Sequence, residues 1–116
     1  MVSRQLEHVV LLKLRPMSTL EWQTLHTKFT ELCKIIPGIE DFSFGPNFKY
    51  QEGTHSLLYL YVLFLSNSFL GGFNYGLRVK FNGDEALQTY QDHPLHIKFK
   101  DLLNPLEKHS ADWYLT

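Results

Sequence analysis

Leu6-Glu7-His8-Val9-Val10-Leu11-Leu12-Lys13-Leu14 is the stretch on which the reading of this chain turns. Side chains of a strand alternate between two sides, so Leu6, His8, Val10, Leu12 and Leu14 share one face while Val9 and Leu11 share the other. Both faces want cover, because large apolar patches left in water mark surfaces that bind something. Helices can cover one side of a sheet, and the other then needs a second sheet. Two copies of the chain packed sheet to sheet would supply it, and symmetric pairs are the commonest assemblies. The strand therefore predicts a sheet with helices on one face and a homodimer across the other.

Working outward, Ser18 and Glu21 form a capping box that predicts a helix start. Trp22, Leu25, Phe29, Leu32, Cys33 and Ile36 follow at spacings of three and four, one apolar stripe that Pro37-Gly38 ends. Ile39 to Gly45 alternates as a second strand, with Phe42 and Phe44 on one side and Asp41 and Ser43 on the other. From Phe73 to Phe81 the alternation is clean again, placing Tyr75, Leu77, Val79 and Phe81 together. Asn82 and Glu85 can cap a short helix carrying Ala86, Leu87 and Tyr90. His93-Pro94 interrupts that helix, since a residue before proline avoids helical angles, and Pro94 can begin the next one. That helix carries Leu95, Phe99, Leu102, Leu103 and Leu106, with Pro105 ending or kinking it. Ala111 to Leu115 reads as a last short strand. The sum is an α+β chain: a ferredoxin-like, four-stranded antiparallel sheet with helices on one face, paired into a dimeric α/β barrel.

The 116 residues suffice for a single domain, 1–116. Eleven basic and twelve acidic residues give a net charge of −1, which argues against nucleic acid as a partner. Cys33 is the only cysteine, so no intrachain disulfide can form, and a reducing, cytoplasmic setting is the simplest expectation. The N-terminus runs straight into a strand pattern without the apolar stretch and cleavage site of a signal peptide. Leu57 to Leu65 is wholly apolar but far shorter than the roughly 20 residues of a membrane-spanning helix. No membrane association is expected.

Three stretches give the chain a resemblance to the stress-responsive A/B barrel (Dabb) family. They are His8-Val9-Val10-Leu11-Leu12-Lys13-Leu14, then Ile36-Pro37-Gly38 leading to Phe42-Ser43-Phe44-Gly45-Pro46-Asn47, and Tyr90-Gln91-Asp92-His93-Pro94-Leu95-His96 with Phe99 after it. The last is the most specific. Resemblance to this family implies a dimeric barrel and, by its similarity to the plant cyclases that form olivetolic acid, a cofactor-free ring closure of a polyketide thioester by intramolecular aldol condensation. It implies Tyr90 and His96 as the catalytic pair. It further implies His8, Leu12, Phe29, Leu77 and His93 as substrate-binding positions around them. Tyr75 joins that set by standing in Gly72-Phe73-Asn74-Tyr75 where most members carry a histidine. Measured against the family, about 54–71 is an atypical apolar insertion, read either as an extra β-hairpin or as a translated retained intron.

The chemistry suits the residue types. Aldol closure needs a base to remove a proton beside a carbonyl and a donor to stabilise the oxyanion that follows. A neutral imidazole near pH 7 serves as the base, and a phenol in an apolar cleft serves as the donor. No metal site is expected, because His93 and His96 lack further ligands close in sequence. Structural roles compete with the catalytic ones: His93 as a helix cap, Tyr90 as a core ring, His96 as a first-turn residue bonded to a neighbour. The alternative function is a non-enzymatic stress-response dimer or a carrier of a small hydrophobic ligand.

Overall fold

The computed structural model describes residues 5–46 and 73–115, so the predicted insertion at 54–71 lies outside the described residues. Strand β1 (Leu6–Leu14) leads to helix α1 (Thr19–Ile35), then strands β2 (Ile39–Pro46) and β3 (Tyr75–Phe81). Helices α2 (Asp84–Asp92) and α3 (Pro94–Leu103) follow, and a 3-10 turn (Asn104–Leu106) delivers the chain into β4 (Glu107–Leu115). The strands lie in the order β2-β3-β1-β4, and each neighbouring pair runs antiparallel. This is the ferredoxin-like α+β arrangement that the alternating patterns predict.

Local chemistry explains most boundaries. The Ser18 hydroxyl accepts from the Glu21 amide while the Glu21 carboxylate accepts from the Ser18 amide, satisfying two free donors at the start of α1. Gly38 turns the chain into β2 at φ +88°, where a side chain is strained. A Cβ there would also sit 2.4 Å from that of Ala86, so the turn packs tightly on α2. The cap of α2 differs from expectation: Gly83, not Asn82, takes that position and offers no side-chain bond. The backbone amide of Asn82 instead donates to the Gly38 carbonyl, which ties it to the turn.

Strand β4 is longer than the predicted Ala111 to Leu115, beginning at Glu107. Its first half is polar, and what holds it in the sheet is register: Leu12 pairs with Ser110 and Leu14 with Glu107. Backbone pairing thus extends a strand that side-chain alternation does not announce.

Leu12, Leu14, Leu77, Val79 and Phe81 on the helix-facing side meet Leu25, Phe29, Leu32, Cys33, Ile36, Tyr90, Phe99 and Leu103 in one core. Phe29 is fully buried and brings its ring against Phe42, Phe44 and Phe99 at centroid distances of 6.0, 5.4 and 5.4 Å. On the opposite face Val9, Leu11 and Phe73 pack with Ala111, Trp113 and Leu115. Val9 and Leu11 are fully buried within one chain. The two apolar faces of β1 therefore do not by themselves demand a second sheet.

Candidate active site

Three periodic patterns converge on one cavity of about 400 Å³ between β1, β4 and α3. From β1 come His8, Val10 and Leu12, every second residue of a strand. From β4 come Ser110, Asp112 and Tyr114 with the same period. Helix α3 presents His96, Phe99, Lys100 and Leu103, spaced as one side of a helix must be. Leu77 and Tyr90 close the inner wall, and Gln91, Asn104 and Glu107 complete the polar part of the lining.

Tyr90 is 2% exposed, so its ring forms the inner end of the hollow. Burial raises its phenol well above the ordinary value, with the neighbouring Cys33 and Tyr114 groups adding to the shift. It stays protonated as a hydrogen-bond donor. His96 stacks on it with ring centroids 4.0 Å apart and planes 28° from parallel. The break at His93-Pro94 allows this: α2 ends just past Tyr90, α3 restarts at Pro94, and His96 folds back over the preceding turn. His96 Nδ1 lies 3.4 Å from the Gln91 carbonyl. A carbonyl only accepts, so Nδ1 carries the hydrogen and Nε2 keeps a lone pair. Burial lowers the pKa of His96, and the nearby Lys100 and His8 push the same way, partly offset by the Gln91 and Tyr90 backbone bonds. The imidazole is therefore neutral near pH 7.

His8 is arranged differently. Its Nε2 meets Asp112 Oδ2 at 3.0 Å, and its ring lies flat on Tyr114 at 4.4 Å with 2° between planes. A carboxylate accepts, so Nε2 is the protonated nitrogen. Desolvation lowers the His8 pKa although Asp112 pulls against it, leaving the lone pair on Nδ1. That nitrogen is buried and has no hydrogen-bond partner among the described residues. His8 thus lines the pocket but offers it no free base.

Of the residues singled out in the sequence, Tyr90, His96, His8, Leu12 and Leu77 border this cavity. Phe29, Tyr75 and His93 do not. Phe29 lies beneath it, its ring against that of Phe99. Tyr75 points the same way as Leu77 but near the far end of β3, where it packs on Trp22 at 5.0 Å and Phe44 at 6.3 Å. His93 Nδ1 accepts the Leu95 amide at 3.1 Å, which makes it the N-cap of α3. Its side chain is spent on the helix start. The sequence reading missed Asp112 and Tyr114. They alternate with Ala111, Trp113 and Leu115, and an antiparallel pairing of the last strand with the first would have set Tyr114 opposite His8.

No family model and no curated protein matches the sequence. Solved structures do match in fold. A dimeric ferredoxin-like protein of unknown function from Thermobifida fusca is 16% identical over 98% of this chain and 92% of its own, with a TM-score of 0.70. A Dabb family protein with a ferredoxin-like fold from Mesorhizobium loti is 18% identical over 97% and 95%, with a TM-score of 0.66. The hydroxynitrile lyase of Passiflora edulis is 12% identical over 97% and 92%, with a TM-score of 0.70. At these identities the likeness shows a shared fold. No helix among the described residues is long and apolar enough to cross a membrane.

Proposed function

We propose that this chain is a cytoplasmic, homodimeric protein of the stress-responsive A/B barrel kind whose pocket performs cofactor-free proton transfer on an apolar acyl chain. In its specific form the reaction closes a ring by intramolecular aldol condensation of a polyketide thioester. The observation that carries this reading is the Tyr90–His96 stack at 4.0 Å on the wall of one cavity. His96 Nε2 takes a proton from the carbon beside a carbonyl, and the resulting enolate carbon bonds to a distant carbonyl of the same chain. Tyr90 donates a hydrogen bond to the carbonyl oxygen on which negative charge grows. The imidazolium returns its proton to the alkoxide, and loss of water completes the condensation. Val10, Leu12, Leu77, Phe99 and Leu103 supply an apolar wall suited to a folded acyl chain.

Incubating the protein with a linear poly-β-ketide thioester and separating the products by chromatography tests this. Ring closure by the parent chain that is lost in both Tyr90→Phe and His96→Ala supports the reading, and a parent chain that leaves the thioester unchanged overturns it. The same apolar wall supports a second reading, a carrier of a small hydrophobic ligand, in which the bound molecule is recovered unaltered. The dimer draws support from the dimeric neighbour of the same fold. Sedimentation equilibrium is expected to give twice the mass of one chain.

A further inference from the structure

We propose that Tyr114 is a second substrate-contacting phenol, which makes this pocket selective for acyl ligands carrying two acceptor oxygens. The inference rests on the proposed reading of the Tyr90–His96 cavity as the reaction site, and adds to it a specificity residue from the last strand.

Three observations lead there. Tyr114 lines the same cavity as Tyr90 but is 48% exposed where Tyr90 is 2%, so the two phenols mark its outer and inner ends. The Tyr114 ring is held firmly. It sits directly across from His8 in the β1–β4 pairing and lies parallel to the imidazole at 4.4 Å, and the imidazole is in turn fixed by Asp112 at 3.0 Å. Gln91 Nε2 donates to the Tyr114 hydroxyl at 3.3 Å. The oxygen therefore acts as acceptor in that bond, and its own O–H remains to be donated.

A phenol whose ring is locked by stacking and whose oxygen is steadied by an amide costs little to orient when a ligand arrives. With Tyr90 serving one carbonyl oxygen near His96, Tyr114 serves a second oxygen further along the acyl chain. A ligand with a single carbonyl satisfies only the inner donor. Discrimination follows from one hydrogen bond made or missing, which corresponds to a roughly fivefold to tenfold difference in affinity.

The test is titration calorimetry of the full chain with two matched ketones, 2-acetonaphthone with one carbonyl and 2-naphthoylacetone with two. The wild-type chain is expected to prefer the diketone by roughly fivefold to tenfold. Tyr114→Phe keeps the ring on His8 and removes only the hydroxyl, and it should erase the preference while leaving monoketone affinity within about twofold. Tyr90→Phe should weaken both ketones. If Tyr114→Phe retains the preference, or the wild-type chain shows none, Tyr114 does not contact the second oxygen and the proposal falls. Leu77→Trp, which fills the cavity, separates this from failure of the site itself. Binding that survives Leu77→Trp, or no binding of either ketone to the wild-type chain, overturns the cavity as the reaction site and the role of Tyr114 with it.

Discussion

On the side of the sheet turned toward the helices, His8, Tyr90, His96 and Asp112 border an open cavity. On the opposite side Arg78 is 1% exposed, with Glu7 Oε1 at 3.7 Å and Asp41 bonded to its guanidinium. Both faces bury polar groups among apolar ones. The difference lies in what those groups have left to offer. The Arg78 charge is held against two carboxylates, an arrangement that ties strands β1, β2 and β3 to one another. In the cavity, His96 keeps a lone pair and Tyr90 and Tyr114 keep O–H groups. Buried charge that is compensated belongs to structure, whereas polar capacity left facing a void can be used on a ligand.

Substitutions on the two faces should therefore separate cleanly. The largest effect is expected from His96→Ala, which should lower ring closure by about a thousandfold, within the range for loss of a general base, while urea denaturation shows near-normal stability. Arg78→Met should do the reverse. Removing the cation takes the Arg78 charge away from both Glu7 and Asp41, and unfolding in urea should show a loss of about 3 kcal/mol, moderated because Asp41 is partly exposed. Activity per folded molecule should be retained.

A change of pH probes the cavity side alone. His8 and His96 both have pKa values lowered from 6.5, so the unfolded chain takes up their protons more readily than the folded one. Their contribution to stability is complete above pH 6.5 and is lost as the pH falls through and below that value. Urea unfolding at about pH 7.5 and about pH 5.5 should show lower stability in acid, and His8→Phe should reduce that slope. The acid limb of the activity profile should lie below 6.5, since His96 must be neutral to accept a proton. The smallest effect belongs to neither face: Ser18→Ala removes the helix cap and should cost about 1 kcal/mol by thermal unfolding, a baseline for the others.

Much of this architecture was readable in one dimension. The capping box at Ser18 and Glu21, the stripe from Trp22 to Ile36 and the alternation from Tyr75 to Phe81 depend on neighbours in the chain, so their elements stand where the patterns put them. The expected pair Tyr90 and His96 also meets, because the Pro94 break is itself a local signal. Glu107 to Ser110 carries no such signal, and the strand there comes from pairing with β1. Asp112 and Tyr114 escaped notice for the same reason: their partner His8 is more than a hundred residues away. Conversely, Phe29, Tyr75 and His93 were expected at the pocket but lie away from this cavity, spent on core packing and on a helix cap.

Element order and the apolar stripe of each helix were legible in the chain because propensity, capping and periodicity act over a few residues, while Tyr90 and His96 were singled out through the family resemblance. Which nitrogen of each histidine is free, and that the last strand lends a carboxylate and a phenol to the cavity, follow from the folded arrangement. Those properties depend on long-range register and on exclusion of water, and neither exists until the strands have paired.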